Sequence, residues 1–586
     1  DSATKRPGRF SFERLRQGYA RFLQSVVLRF RWLVLPAYLV VTVLIIVVIG
    51  MRCGTEIFPF VDSGQFQLRI KAPVGSRLER TEEIAREALA GIQEATGNRV
   101  EMSVGFGGVS PSSYTINTVY LWTAGPEEFV MRVALKHDSG IRVEELQNRL
   151  RDYLPERLGN WLRRELESEG VSKDRIDAQV RELRIGFEPA DIVNEVMSFG
   201  SGKPIEVAVS SPNFDDTRAY AARVREQLAR IPTLRDLDYV QTLNYPTIDV
   251  QVDRERAGFS GVTAAEVAQS LVAATSSSRF VVPNYWRDPK KGVGYQVQVE
   301  IPQQRMNSIQ EVNLIPVKQT PTGKLLLRDV ARVQESTMPG EYDRYNMRRV
   351  VSMTANIEGE DLGRVAYRLD RALEAAGKPP RGVTVAVRGQ IVPMRQMFRG
   401  LGAGLVMAVV VILLLLTAYF QSPQLAFVAV TTVPAVLAGV VLALWLTGTT
   451  LNIQSFMGAI MAIGVAIANA ILLVTFAEQA RKGGMDSYTA AREGGQSRLR
   501  PILMTSFAMI AGMLPMALAL QEGGEQTAPL GRAVIGGLLC ATLATLLVLP
   551  AVFAVVPRRS GIRSVSVYPF DADSRHYVGE GAVALP

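Results

Sequence analysis

The sequence predicts a membrane α-helical bundle of six transmembrane helices carrying an α+β extramembrane domain. Three observations lead there. Between Arg399 and Glu478 the chain runs 78 residues without an Asp, Glu, Lys or Arg, room for three spanning helices at about 20 residues each. A lone apolar segment, 33–51, stands near the start, and two more follow at 501–520 and 530–556. The stretch 52–398 has ordinary soluble composition, and its hydrophobic period switches repeatedly between that of a strand and that of a helix.

Taken in order, residues 1–32 read as a basic amphipathic helix on the membrane surface, leading into the first span. The chain begins with Asp1 rather than Met, which suggests a piece of a longer chain or a processed product, and 33–51 fits an uncleaved anchor better than a signal peptide. Residues 65–72 alternate polar and apolar as a half-buried strand does, followed by a helix at 80–94 and a strand at 99–105. The unit recurs as strand 204–210, helix 215–229 and strand 234–240, and again as 350–357, 362–375 and 383–388. Units of this size suggest two ferredoxin-like βαβ modules, the first with its linker at 52–203, the second at 204–245 and 338–395. A charged helical stretch, 144–177, is expected to bridge them. Residues 246–337, with strands at 247–252, 295–301 and 324–330 and a helix at 263–274, read as an insertion in the second module. Spans two to four fill 399–476, a cytoplasmic loop 477–500, and a cytoplasmic tail 557–586.

The net charge of +9 invites a nucleic-acid reading, which its distribution opposes. Lys5, Arg6, Arg9, Arg14, Arg16, Arg21, Arg29 and Arg31 precede the first span, Arg481, Lys482, Arg492, Arg498 and Arg500 lie between the fourth and fifth, and Arg558, Arg559 and Arg563 follow the last. The opposite connections carry only Glu522 and Glu525. This positive-inside pattern puts both termini in the cytoplasm and the large domain outside, in contact with lipid rather than nucleic acid.

Few motifs point to chemistry. Cys53 and Cys540 read as packing residues, and His137 and His576 form no ligand motif. Gly200-Ser201-Gly202-Lys203 is followed by Pro204 and lacks the first glycine of a phosphate loop. No nucleophile–base constellation is visible, so an enzyme is not expected and no cofactor is implied. Asn469, in the fourth span, is costly in lipid unless it finds a partner. It reads either as an interhelical packing bond or as part of a polar relay for an ion. Thr505 and Ser506 can satisfy themselves on their own helix. Arg498 and Arg500, ahead of Pro501, read equally as interfacial anchors. Met504, Met509, Met513 and Met516 are flexible packing or, less commonly, soft-metal ligands.

Several ordered motifs resemble a known family. Phe58-Pro59-Phe60-Val61-Asp62-Ser63-Gly64-Gln65, Pro73-Val74-Gly75 with Arg80-Thr81-Glu82, Pro204-Ile205-Glu206-Val207, and Arg498-Leu499-Arg500-Pro501-Ile502-Leu503-Met504-Thr505-Ser506 are similar to the C-terminal half of resistance–nodulation–division (RND) efflux permeases, in the hydrophobe/amphiphile exporter branch. The resemblance implies a homotrimer in the bacterial inner membrane, driven by protons and exporting amphiphilic small molecules or drugs. It implies porter subdomains for the two modules. Residues 246–337 become a docking subdomain that meets a periplasmic adaptor and an outer-membrane channel. Phe106, in Gly105-Phe106-Gly107-Gly108, matches a substrate-contacting aromatic position, while Gly108 stands where multidrug members often carry another. Asn469, Thr505 and Arg498 match proton-relay positions, but the family's relay lysine is Ala468 here, and the relay carboxylates belong to an N-terminal half. Two alternatives are a protein-export motor subunit of the same superfamily and a metal-ion exporter.

Overall fold

A computed structural model describes residues 12–59, 62–109, 123–190, 196, 198, 200–302, 305–321, 323–520 and 523–556. The basic residues ahead of Phe12, the tail 557–586, and Glu522 lie outside them. Among the described residues six helices are long and apolar enough to cross a membrane: Arg31–Ile49, Ile391–Phe420, Pro423–Leu446, Ile453–Lys482, Ser487–Ala517 and Gly524–Val555. The large extramembrane domain lies between the first and second.

The third, fourth and sixth spans form the interior of the bundle, each at least half buried. Lipid tails are as apolar as leucine, so helices in a membrane gain most from close contact. The sequence supplies that contact with small residues. A side chain on Gly439 of the third span would run into the carbonyl oxygen of Gly536 on the sixth, and would come within 2.7 Å of Cys540 Cβ. Cys540 is thus a packing residue. The first, second and fifth spans lie outside and expose Val40, Leu44, Val406, Leu414, Met504 and Phe507.

The segment 477–500, expected to be a loop, is mostly helix. The fourth span runs to Lys482 and the fifth begins at Ser487, leaving a turn at 483–486. Asp486 caps the fifth span through the N–H groups of Tyr488 and Thr489, and Ala490, Ala491, Gly494 and Gly495 are buried. Polarity suggested a loop, but the buried small residues hold a helix.

Outside the membrane stand two α+β units with the same topology. In the first, β1 (Gln65–Lys71), β2 (Val100–Gly107), β3 (Glu128–Leu135) and β4 (Arg184–Glu188) lie in the order β2-β3-β1-β4, all neighbours antiparallel. Helices α1 (Leu78–Ala95) and α2 (Val143–Ser168) cover one face. Phe66, Leu68, Ile70, Met131 and Val133 point into that core, against Ile84, Ala88, Leu146, Leu150 and Leu154. The stretch 144–177 is therefore chiefly the second helix of this unit rather than a bridge. Its leucines at 146, 150, 154, 158, 162 and 166 recur every four residues, and all are buried. The surrounding charges concealed that face.

In the second unit, β5 (Ile205–Ser210) and β6 (Leu234–Tyr239) precede an insertion. The insertion leaves and returns through the ribbon of β7 (Tyr245–Val252) and β12 (Ala331–Met338). Between them it carries two hairpins, β8 (Asn284–Arg287) with β9 (Gly294–Val297) and β10 (Pro316–Thr320) with β11 (Gly323–Leu326). It has its own core around Val262, Val267, Leu327 and Val330. Only Gly323–Leu326 of the expected strand 324–330 is extended; Leu327–Val330 is a helical turn with Asp329 bonding back to Leu326 N–H. Strands β13 (Arg344–Tyr345), β14 (Arg348–Ile357) and β15 (Thr384–Gly389) then complete the sheet of the second unit. Here β14 pairs with β5 and β6, and β5 with β15. Helices α3 (Phe214–Leu228) and α4 (Leu362–Ala375) pack on it around Tyr220, Val224, Val365 and Leu369.

Gly439→Leu is expected to destabilise the bundle by at least about 1–3 kcal/mol through overpacking. Gly402→Leu on the second span, where a side chain meets nothing within 4 Å, should stay within about 0.5 kcal/mol. Thermal unfolding of the two variants in detergent checks both.

Candidate functional site: a membrane polar pair and a charged cleft

The structure brings two of the expected membrane residues together. Asn469 is buried on the fourth span, and Thr505 on the fifth donates to its Oδ1 at 3.3 Å. The same hydroxyl lies 3.1 Å from Pro501 O and 3.0 Å from Ile502 O. One hydrogen is thus shared among three acceptors, so the bond to Asn469 is exchangeable. One residue on, Ser506 accepts from Thr542 of the sixth span at 2.7 Å. Adjacent hydroxyl residues therefore tie the fifth span to both neighbours. Sequence reading missed Thr542, because a lone threonine in a span has its own backbone as partner.

Arg498 is elsewhere. It lies two helical turns, about 10 Å, from Thr505, with its guanidinium carbon 3.5 Å above the Phe476 ring. Its Nε is buried without a hydrogen-bond partner. Ala468 and Gly464 lie on an exposed stripe of the fourth span with Met457, Ile460, Met461, Leu472 and Phe476.

A cavity of about 430 Å³ separates the two α+β units. It is lined by charge: Arg69, Lys71, Arg184, Lys203 and Arg225 stand with Glu128, Glu188, Asp236, Asp238 and Glu341, and Tyr239 is its one aromatic among the described residues. The alternation along β1 produces this. Phe66, Leu68 and Ile70 face the helices, so Gln67, Arg69 and Lys71 face the second unit. Arg69 pairs with Glu188 at 2.6 Å and Glu128 at 3.4 Å. Lys71 bonds to Glu128 at 3.2 Å and to the carbonyls of Tyr239 and Val240. Lys203 donates to Asp236 O at 2.5 Å. Burial pushes its ammonium below the usual lysine range, against the pull of Asp236 and Glu188. Asp236 is the hub, its Oδ2 accepting from Asn356 of the second unit at 2.6 Å and from Phe187 N–H and Arg151 of the first at 3.3 Å.

Phe106 does not line this cleft. It sits on the opposite face of edge strand β2 from Gly105 and Gly107, 41% exposed beside Met102 and Val104. The glycines leave room for Phe129, whose ring fills the space a side chain on either would need.

Where the domain meets the membrane, Glu56 accepts from Thr450 at 3.0 Å. Burial raises its carboxyl above the usual range, with Asp361 and Glu144 adding to the rise against the Thr450 bond.

The family model described as AcrB/AcrD/AcrF matches residues 4–122 and 171–557. The chain belongs to the AcrB/AcrD/AcrF family. Members of this RND group are transport proteins, not enzymes. Cobalt-zinc-cadmium resistance protein CzcA of Cupriavidus metallidurans is 28% identical over 371 residues, 62% of this chain and 34% of that protein. Nickel-cobalt-cadmium resistance protein NccA of Alcaligenes xylosoxydans xylosoxydans is 30% identical over the same shares. The crystal structure of a heavy metal efflux pump superposes with a TM-score of 0.75 at 23% identity, over 93% of this chain and 52% of that one. The chain thus spans between a third and about half of the length of these proteins. The expected hydrophobe/amphiphile branch is overturned by these matches, which bear the names of metal-resistance proteins.

Asp236→Ala would strand Arg151, Asn356 and the Phe187 N–H in the unit interface, while Lys203 keeps the backbone carbonyl it donates to. We expect a loss of about 3–5 kcal/mol, the cost of breaking a buried ion pair, read as earlier proteolysis between the units. Glu56 has a folded-state pKa above its unfolded value, so its stabilising share is present at low pH and lost as pH rises through the folded value. Glu56→Gln should therefore raise the unfolding temperature at pH 8 and leave it unchanged at pH 4.

Proposed function

We propose that this chain forms part of an RND-type efflux permease of the bacterial inner membrane, and that its cargo is a metal cation. The observation that carries the cargo is the match to CzcA and NccA. The lining of the cleft supports it. Pockets for amphiphiles are predominantly apolar and aromatic, whereas this one presents five cations and five carboxylates. Among the described residues no three His, Cys, Asp or Glu side chains converge on one point. The cation would therefore be guided by the field of the cleft rather than chelated, and weak holding favours release.

In this reading the two α+β units are ferredoxin-like porter modules facing the periplasm, and 246–337 is the docking head for an adaptor and an outer-membrane channel in a homotrimer. Proton coupling is assigned to Asn469 and Thr505, with Arg498 holding the cytoplasmic end of the same helix pair through Phe476. The stripe bearing Ala468 is the face for the relay carboxylates of an N-terminal half. Phe106 is assigned to the cargo path, where an exposed aromatic face attracts cations.

Deleting the full-length gene should make its host more sensitive to cobalt, zinc, nickel or cadmium, with tolerance to dyes and bile salts unchanged; the reverse pattern would reject a metal cargo. Asn469→Ala in the full-length protein should lower cation flux in proteoliposomes about tenfold, the equivalent of one hydrogen bond of about 1.4 kcal/mol.

A further inference from the structure

The linker that leaves the first span passes between two bodies and is hydrogen-bonded to both. Toward the membrane, Leu451 N–H donates to Gly54 O at 2.7 Å, Glu56 N–H to Leu451 O at 3.0 Å, and Ile453 N–H to Ile57 O at 3.2 Å. Leu451 and Ile453 flank Asn452, the fully buried N-cap of the fourth span. Toward the second α+β unit, the intervening residue Thr55 donates its N–H to Asp361 Oδ1 at 2.9 Å and accepts from Gly363 N–H at 3.1 Å. Asp361 is the N-cap of α4, and Arg364 on the same helix donates to Arg52 O at 2.6 Å.

An extended peptide turns successive backbone groups to opposite sides, and here each side is occupied. The fit is tight where Gly54 and Thr55 meet Asp361 and Gly363, beside a cavity of about 520 Å³ that Arg52, Glu56 and Arg364 help to line. A side chain on Gly363 would overlap Thr55 Oγ1, and one on Gly54 would lie 2.7 Å from Asp361 Cβ. A connection serving only as a tether would leave its backbone to water.

We propose that residues 52–57 are a transmission joint, through which displacement of the fourth span reaches α4. Thr55, Asp361 and Gly363 are its positioning residues and touch no cargo. The proposal rests on the coupling role assigned to Asn469. That residue lies about 25 Å along one continuous helix from Asn452, so a shift at its level arrives at Leu451 and Ile453 as rigid motion. The linker hands it to the cap of α4, which shares the core of the second unit with α3 and the sheet.

The test uses full-length protein in proteoliposomes, with Zn²⁺ uptake driven by an imposed pH gradient. Gly363→Ala should cut uptake about tenfold while Zn²⁺ affinity stays within about twofold. Thr55→Ala in the same chain should restore uptake to within about threefold of wild type by removing the overlapping hydroxyl. In parallel, Asn469→Ala should change amide exchange across 362–375 by about threefold or more, and should leave it unchanged when Gly363→Ala is also present. Wild-type uptake by Gly363→Ala, failure of the Thr55→Ala rescue, or exchange indifferent to Asn469 would each overturn the joint. If the wild-type protein moves no Zn²⁺, the cargo reading falls and the exchange measurement alone decides the joint. Should Gly363→Ala not assemble, Asp361→Ala removes the same anchor, and uptake by it at the wild-type rate would overturn the proposal.

Discussion

Helices in lipid hold together by contact, because nothing is gained by hiding one apolar surface from another. In this bundle the third and sixth spans meet backbone against backbone, Gly439 facing Gly536. That approach draws the third and sixth spans together and leaves the fourth packed against both. A polar residue on the fourth span then has few neighbours to choose from. Asn469 finds Thr505 because the fifth span closes the remaining side, and Ser506 finds Thr542 for the same reason. The polar geometry of the membrane domain follows from where small residues let the helices meet.

The two α+β units solve a different problem. Each buries one sheet face under its own helices, so the other face is free to carry charge. The first unit turns that face toward the second, and the cleft becomes a room of paired ions around Asp236. Such a room costs desolvation for every charge, and pairing only offsets it. It therefore argues for a role beyond stability. A lining of opposed charges accommodates a small ion that exchanges partners more readily than a flat apolar molecule, in keeping with relatives named for cobalt, zinc, cadmium and nickel.

The membrane part of the fold was legible in the sequence because so long a run without charge is at home only in lipid. The outer units were half legible. Strands such as β1 and β14 show their alternation, and helix α4 shows its stripe. Strands β3 and β4 did not stand out, and α2 read as a charged bridge because its leucines are outnumbered by Arg and Glu. The pairing of Asn469 with Thr505 could be guessed as a need for some partner, whereas the partner itself is a tertiary fact. The cleft was invisible. Arg69, Glu188, Lys203 and Asp236 are ordinary residues in ordinary strands and turns, and only the meeting of two sheets makes them a site. The branch of the family was misread because the motifs that carried the resemblance contain no residue set whose chemistry selects a cargo.

The ribbon β7–β12 has a consequence for how this architecture diversifies. Tyr245 and Met338 are partners across it, so the two ends of the inserted head stand about 5 Å apart. A chain leaving β6 could return toward β14 through a short turn, and the sheet order of the second unit would not change. The head is thus a graft on a two-lead stem. It can be lengthened, shortened or exchanged for another without rewiring the body beneath it, which lets the insertion vary at its own pace while the sheet it grows from stays fixed.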